Sequence, residues 1–188
     1  MYANVNTSET LYQGKVFRLS RENVTLKNGV TVDLDIIRHP GASAIVPVSQ
    51  GNRLILIKQY RHATGKFIWE IPAGTLEPDE SPLECATREL AEETGYQADK
   101  WEKLGLITPL PGYSDETIHL FLAQDLVPAR QNLDKDEMLD VHEVGLTEAV
   151  EMVHKGAILD SKTIAGLFMA LGWLNIWQTD LSFGNNLP

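Results

Sequence analysis

The sequence predicts an α+β domain, with strands and helices packed in layers around one core. Three observations lead there: two hairpin signals in the first third of the chain, one sharply punctuated helix in the middle, and a tail with helical periodicity. Val24–Lys27 and Val30–Ile37 flank Asn28-Gly29, a dipeptide that accepts the positive φ of a two-residue turn, so the pair reads as a β-hairpin. Ala44–Val48 and Leu54–Ile57 flank Gly51-Asn52 and read as a second hairpin. Leu104–Ile107 and Ile118–Leu122 are short apolar runs and read as further strands.

The middle helix is marked at both ends. Ser81 is placed to cap it, Pro82 suits the first helical position, and Glu84 completes a capping box with Ser81. Gly95 supplies the stop. In the tail, Thr147–His154 reads as helix, followed by a second one from Ser161 to about Gln178 behind the cap Asp160. Ile164, Leu167, Phe168, Leu171 and Leu174 share a face at helical spacing. Pro40-Gly41, inside the linker Arg38–Ala42, sets residues 1–39 apart as a small, semi-independent β segment ahead of a main domain over residues 40–188. There is no internal repeat.

With 188 residues the chain has room for one compact domain and a modest accessory segment. Its 43% hydrophobic and 22% charged content is that of a soluble globular protein. No run approaches the roughly 20 apolar residues of a membrane span. Met1–Thr10 lacks the basic-then-apolar plan of a secretory leader, so none is expected. The single cysteine, Cys85, has no internal disulfide partner, which points to a reducing cytoplasm. The net charge is −10, from 26 acidic against 16 basic residues, and such a surface repels nucleic-acid backbones. The same surface is an obstacle to any phosphate-bearing ligand unless a cation mediates the contact.

Glu89, Glu92 and Glu93 stand at i, i+3 and i+4 of the middle helix, which puts three carboxylates on one face. Each like-charged pair costs about 0.2–0.5 kcal/mol in an isolated helix. A hard divalent cation such as Mg²⁺ would reverse that penalty and still offer open positions to phosphate oxygens. Glutamate is also a good helix former, and on spacing alone a solvated acidic face is the commoner arrangement. The surrounding pattern tips the balance. Gly74, Glu80, Arg88, Glu89, Leu90, Glu92, Glu93, Gly95 and Tyr96 fall at the fixed positions of the signature GX5EX7REUXEEXGU, with U aliphatic or large and apolar. Tyr96 at the last U is the one mild variation.

By that segment, GTLEPDESPLECATRELAEETGY, the chain resembles the Nudix hydrolases. The likeness extends over roughly residues 10–178. Lys58-Gln59-Tyr60-Arg61, Trp69-Glu70-Ile71-Pro72-Ala73-Gly74 and Pro111-Gly112-Tyr113-Ser114-Asp115-Glu116 look like the matching segments of ADP-ribose pyrophosphatases, with Pro111 close to that subfamily's marker proline. The resemblance implies the Nudix fold, an α/β/α sandwich around a mixed sheet with the signature as loop–helix–loop. It implies Glu89 and Glu93 as metal ligands, Glu92 as a further ligand or a base, and the Ala73 carbonyl as another ligand. The cofactor implied is Mg²⁺, with Mn²⁺ as the alternative ion. Arg88 would hold the carboxylates in place by pairing with Glu80; the plainer reading is a surface ion pair worth under about 1 kcal/mol. Glu116 would help activate the attacking water or close on the metal site, with Asp115 as its competitor.

Substrate contacts follow from the same likeness. Arg61 would clamp phosphate or terminal ribose by forked hydrogen bonds, against the plain reading of a surface arginine. Glu70 would accept hydrogen bonds from sugar hydroxyls or base, against that of an exposed strand carboxylate. The N-terminal segment would reach across a homodimer, with Phe17 stacking on the nucleobase near Arg18 or Arg21, against Phe17 as a core residue. The implied reaction is hydrolysis of ADP-ribose to AMP and ribose 5-phosphate. The nearest rival is a broader nucleoside diphosphate sugar hydrolase acting on a conjugate such as GDP-mannose. A non-catalytic nucleotide-sugar sensor of this family would tend to lose signature carboxylates and to carry a DNA-binding domain; neither is seen here. His39, His62, His119, His142 and His154 show no zinc spacing, Cys85 reads as a small core residue, and the charged run Asp134–Asp140 reads as a solvated loop.

Overall fold

In the computed structural model, which describes residues 2–176, each hairpin signal becomes the centre of a sheet. The first sheet is antiparallel, in the order β1 (Ala3–Gln13), β2 (Arg18–Leu26), β3 (Thr31–Arg38). Gly29 turns at φ 84°, and the Leu26 N–H donates to the Val30 carbonyl at 2.8 Å to close the β2–β3 hairpin. The strand β1 was not expected. Its side chains are nearly all exposed, so it shows no buried face. Besides the backbone ladder, polar contacts hold it: the Asn6 amide donates to Asn23 at 2.8 Å, and Asn23 to Asp33 at 2.6 Å.

The second sheet contains β4 (Ala42–Ser49), β5 (Arg53–Arg61), β6 (Lys66–Glu70), β7 (Ala73–Thr75), β8 (Tyr96–Ile107), β9 (Ile118–Pro128) and β10 (Leu139–Gly145). Its spine runs β10-β5-β4-β9-β8, with β6 paired to β5 and β7 to β4. Only β4 and β9 are parallel, so the sheet is mixed. Gly51 and Asn52 both take positive φ, 75° and 57°, as the turn between β4 and β5 requires. The hairpin then splits. Only Val48↔Leu54 and Ser49↔Arg53 pair; beyond them β6 follows β5 and β7 follows β4. This fork places the Ile71-Pro72 step, and Ala73 after it, at the edge of a cleft.

Alternation along the central strands makes two apolar faces. Ala44, Val46 and Val48 of β4, with Leu120 and Leu122 of β9, pack toward α2 (Leu146–His154) and α3 (Ser161–Trp173). Ile45, Phe121 and Ala123 point the other way, onto Ala86 and Leu90 of α1 (Pro82–Thr94). The result is the expected α/β/α sandwich. In α1 the Ser81 hydroxyl accepts the Glu84 N–H at 3.3 Å and the Glu84 carboxylate accepts the Ser81 N–H at 2.8 Å. Gly95 ends it at φ 71°. The last helix is shorter than the periodicity suggests: it stops at Trp173 because Asn175 turns left-handed at φ 57°. Trp177 and Gln178 lie outside the described residues.

The first sheet is pinned to the second at its exit. The Ile37 N–H donates to the Tyr113 carbonyl at 2.8 Å, the Asp115 N–H to the Ile37 carbonyl at 3.1 Å, and the Asp115 carboxylate accepts Arg38 Nη1 at 3.0 Å and the His39 N–H at 2.8 Å.

Helix and sheet approach closely at Gly166 of α3, where an added Cβ would lie 3.0 Å from both Ile71 Cδ1 and Val46 Cγ2. Gly166→Val is therefore expected to overpack the core and destabilise the protein by about 1–3 kcal/mol, read as a lower urea midpoint at unchanged slope.

Candidate active site

The signature segment forms a strand, a loop and a helix that fold back on themselves. β7 supplies Ala73 and Gly74, residues 76–81 cross over, and α1 returns Glu89 and Glu93 to the β7 backbone. Glu93 Oε2 accepts the Ala73 N–H at 2.8 Å, and Glu93 is 1% exposed. Glu89 lies so close to Gly74 that an added Cβ would sit inside its carboxylate. Glycine is required there by contact, not by backbone conformation. Burial raises both carboxyls: Glu89 goes up through lost solvation, and Glu93 is pushed up to about 8 by the same cause, only partly offset by the Ala73 N–H.

Arg88 organises the outer side of the cluster. Its Nε and Nη2 pair with the two oxygens of Glu80 at 2.8 and 2.9 Å, the pairing expected from the sequence. That fork, together with the Glu77 N–H, holds Glu80 down at about 2. Nη1 reaches Glu89 at 2.5 Å and Glu92 at 3.1 Å, and Nη2 also reaches the Thr75 carbonyl at 3.3 Å. One guanidinium thus faces three carboxylates, with Glu93 beyond it, and negative charge remains in excess. Among the described residues no three His, Cys, Asp or Glu side chains already form a closed cage. The donors nevertheless suit a hard divalent cation: carboxylate oxygens and a backbone carbonyl, desolvated and short of positive charge.

Two adjoining cavities share Arg61, Ala73, Gly74 and Thr75. The larger, about 880 Å³, also has Glu80, Arg88 and Glu89 in its wall, with Lys15 and Val16 from the β1–β2 turn. The smaller, about 280 Å³, is lined by Glu116, Ile118 and the start of α3. Glu116 is thus in the site region, on the far side of β7 from the helix face. Its Oε1 is 4.0 Å from His39 Nδ1, but that nitrogen already accepts the Gly41 N–H at 3.0 Å. The two are neighbours, not partners, and Glu116 stays available to the cavity. Asp115 is taken up by Arg38 and His39.

The acidic loop ahead of β10 is largely exposed, as expected, but it also belongs to the site region. Asp134, Asp136 and Glu137 line the larger cavity, and the charge of Glu137 helps raise both Glu89 and Glu93. The loop is tied to the end of α1: Gln131 Nε2 donates to the Glu93 carbonyl at 2.7 Å and the Asn132 N–H to the Glu92 carbonyl at 3.0 Å. Free carbonyls at a helix C-terminus seek such donors, which is why a run that looks solvated in sequence is drawn over the carboxylate cluster. Its one sequence signal is an acidic cluster just before an alternating strand.

Glu70 is neither an open sugar acceptor nor an exposed strand carboxylate. It is 3% exposed, and both oxygens are engaged: Oε2 by Arg61 Nε at 2.9 Å and Nη2 at 2.7 Å, and Oε1 by Lys162 Nζ at 2.8 Å. Arg61 itself is 40% exposed and borders both cavities. Lys162 was not anticipated; its sequence signal is a lone charge in the first turn of an otherwise apolar helix. Phe17 is exposed on the β1–β2 hairpin, its ring 6.4 Å from that of Tyr12, so it is not a core residue. Of its expected companions, Arg21 is paired with Asp35.

An acidic loop–helix folded onto a forked mixed sheet defines a class of protein, and comparison with known proteins agrees. The family described as NUDIX domain matches residues 37–167, and the chain belongs to it. Nudix hydrolases use divalent metal ions on small-molecule substrates. The methanol dehydrogenase activator of Bacillus methanolicus is 41% identical to this chain over 159 residues, covering 84% of the chain and 86% of that protein. The ADP-ribose pyrophosphatase of Bacillus subtilis (strain 168) is 41% identical over 157 residues, covering 82% and 85%. A solved structure described as an ADP compounds hydrolase superposes at a TM-score of 0.82 with 25% identity, covering 93% and 95%.

Glu93 generates a pH prediction. Its carboxyl rises from an ordinary 4.5 to about 8 on folding, so its contribution to stability is full below 4.5 and is lost as pH climbs through 8. Metal-free protein should lose stability across that window, and Glu93→Gln should flatten the dependence. Ion binding requires the ionised form, so Mg²⁺ uptake should release a proton, with affinity rising about tenfold per pH unit below 8. Calorimetry in buffers of different ionisation enthalpy measures that release; uptake independent of buffer would remove the assignment.

Proposed function

We propose that this protein hydrolyses the diphosphate bridge of ADP-ribose to AMP and ribose 5-phosphate with Mg²⁺, as a cytoplasmic homodimer. The observation that carries the reading is the pair Glu89 and Glu93, short of positive charge and desolvated against the β7 backbone, whose Ala73, Gly74 and Thr75 border both cavities. The likeness to the Bacillus subtilis ADP-ribose pyrophosphatase over most of both chains supports the choice of substrate.

Glu89, Glu92, Glu93 and the Ala73 carbonyl would hold the ion. When bound, it would neutralise charge on the phosphoryl oxygens and lower the pKa of water. The chain's own residues do the rest. Arg61 presents its exposed edge to the diphosphate or the terminal ribose, and Glu70 anchors that arginine from below. Arg88 keeps Glu89 and Glu92 oriented through its fork to Glu80. Glu116 stands on one side of β7 and Glu137 on the other, and each is an acceptor for the proton of the attacking water; Glu92, 37% exposed, is the third candidate.

The N-terminal sheet forms a segment of its own in this reading, over residues 1–39. It exposes Val5, Leu11, Tyr12, Val16 and Phe17, an apolar surface suited to a second copy of the chain. Lys15 and Val16 border the larger cavity, which puts Phe17 one residue from the cavity wall, in reach of a base-stacking role.

Mass spectrometry of products formed in heavy-oxygen water, across a panel of nucleotide sugars, tests the substrate and shows which phosphorus is attacked. Faster cleavage of GDP-mannose than of ADP-ribose would refute the choice made here. Glu93→Gln is expected to lower kcat by about 100-fold or more with the fold retained. Glu116→Gln should slow turnover by about 10²–10⁴-fold with KM little changed, the signature of a lost base. If Glu137→Gln instead shows that drop while Glu116→Gln does not, the proton passes to the acidic loop.

A further inference from the structure

Lys162 is a buried cation that the reaction as described does not use. It is 9% exposed in the first turn of α3, and α3 is already docked without it. Asp160 caps the helix by accepting the Thr163 N–H at 2.9 Å and the Thr163 hydroxyl at 2.6 Å. The same hydroxyl oxygen accepts the Ile71 N–H at 2.9 Å, and Leu167, Ala170 and Leu171 fill the core. An ammonium ion withdrawn from water is unfavourable unless carboxylates replace the solvent. Two do: Glu70 Oε1 at 2.8 Å and Asp160 Oδ2 at 3.1 Å. A hydrocarbon side chain would fill this place with no such requirement.

What the ammonium changes is the way Glu70 holds Arg61. A guanidinium meeting a free carboxylate tends to pair two N–H groups with two oxygens. Here Oε1 is occupied, so Arg61 directs both Nε and Nη2 at Oε2. Among the described residues its Nη1 has no hydrogen-bond partner, and the side chain opens onto both cavities. Without Lys162 the Glu70 carboxylate is free to turn and take the arginine fork on both oxygens, drawing the guanidinium down and away from the cleft.

We propose that Lys162 is a positioning residue: by occupying one oxygen of Glu70 it keeps the outer edge of Arg61 available to an anionic substrate, without touching substrate itself. The inference rests on the reading of Arg61 as a substrate contact, and the experiment separates the two. With Mg²⁺ and ADP-ribose, Lys162→Met should raise KM about tenfold and leave kcat within about twofold. Adding Glu70→Gln should bring KM back to within about threefold of wild type, because a glutamine offers Arg61 only one acceptor oxygen. In an Arg61→Ala background, itself raised in KM, Lys162→Met should add nothing. A KM unmoved by Lys162→Met overturns the proposal, and so do effects of Lys162→Met and Arg61→Ala that multiply, since those mean direct contact. An Arg61→Ala enzyme with wild-type KM instead sinks the reading of Arg61. Where the methionine variant does not fold, Lys162→Gln should shift KM in the same direction by a smaller factor, and no shift overturns the proposal equally.

Discussion

The contact between the α1 carboxylates and the β7 backbone is the constraint on which the site depends. Glu93 accepts the Ala73 N–H, and Glu89 fills the space where any other residue at position 74 would carry its Cβ. Two acidic groups are thereby taken out of water side by side, an arrangement that opposes folding unless cations or donors compensate. Arg88 compensates in part, and its own position is fixed by Glu80 and the Thr75 carbonyl. The signature is therefore less a string of separate ligands than one packing unit. Its glycine makes room, its arginine sets direction, and its glutamates are left with charge to spare.

That unit needs a sheet that divides. Were β4 and β5 paired along their whole length, β6 and β7 would have no edge to join, and Ala73 would not reach α1. The split after Val48↔Leu54 lets β7 run beside β4 while β6 runs beside β5. The Ile71-Pro72 step between them is held from both faces, with the Pro72 carbonyl accepting the Ile45 N–H at 2.9 Å and the Ile71 N–H bound to Thr163. Arg61 at the end of β5 and Glu70 at the end of β6 meet across the same fork, so one topological feature positions both the α1 carboxylates and the cation that borders the two cavities.

Much of this was legible in the chain because local chemistry and tertiary structure agree there. Asn28-Gly29 and Gly51-Asn52 announce their turns, and the capping box at Ser81 with Gly95 frames α1 to the residue. The signature spacing put three glutamates on one face, and two of them, Glu89 and Glu93, are buried against β7. What was not legible lacks a periodic or local signal. β1 has no buried face to alternate against, and what holds it is a backbone ladder and amide pairs to β2, which leave no periodic apolar signal. Glu137 reaches the cavity because Gln131 and Asn132 seek the carbonyls at the end of α1, a tertiary event that an acidic run in a sequence does not advertise. Glu70 and Lys162 are 92 positions apart, and neither shows in isolation that it is half of an ion pair.

The charge of the whole chain takes on a different meaning once the cleft is in view. A net charge of −10 would repel a diphosphate over its whole approach, and the larger cavity adds Glu77, Glu80, Asp134, Asp136 and Glu137 to its own wall. Among the described residues the opposing cations there are Lys15, Arg61 and Arg88, and Arg88 is consumed by its carboxylates. An anionic substrate therefore finds little attraction in the protein alone, whereas a divalent ion held at Glu89 and Glu93, as proposed, would place positive charge beside the phosphates. Under the proposed reading, ion and substrate each improve the site for the other, since binding free energies of this kind are reciprocal. An acidic surface is then no handicap to a phosphate-cleaving enzyme: it discourages polyanions such as nucleic acids from occupying the cleft, while a small diphosphate would gain entry through a metal shared with the helix.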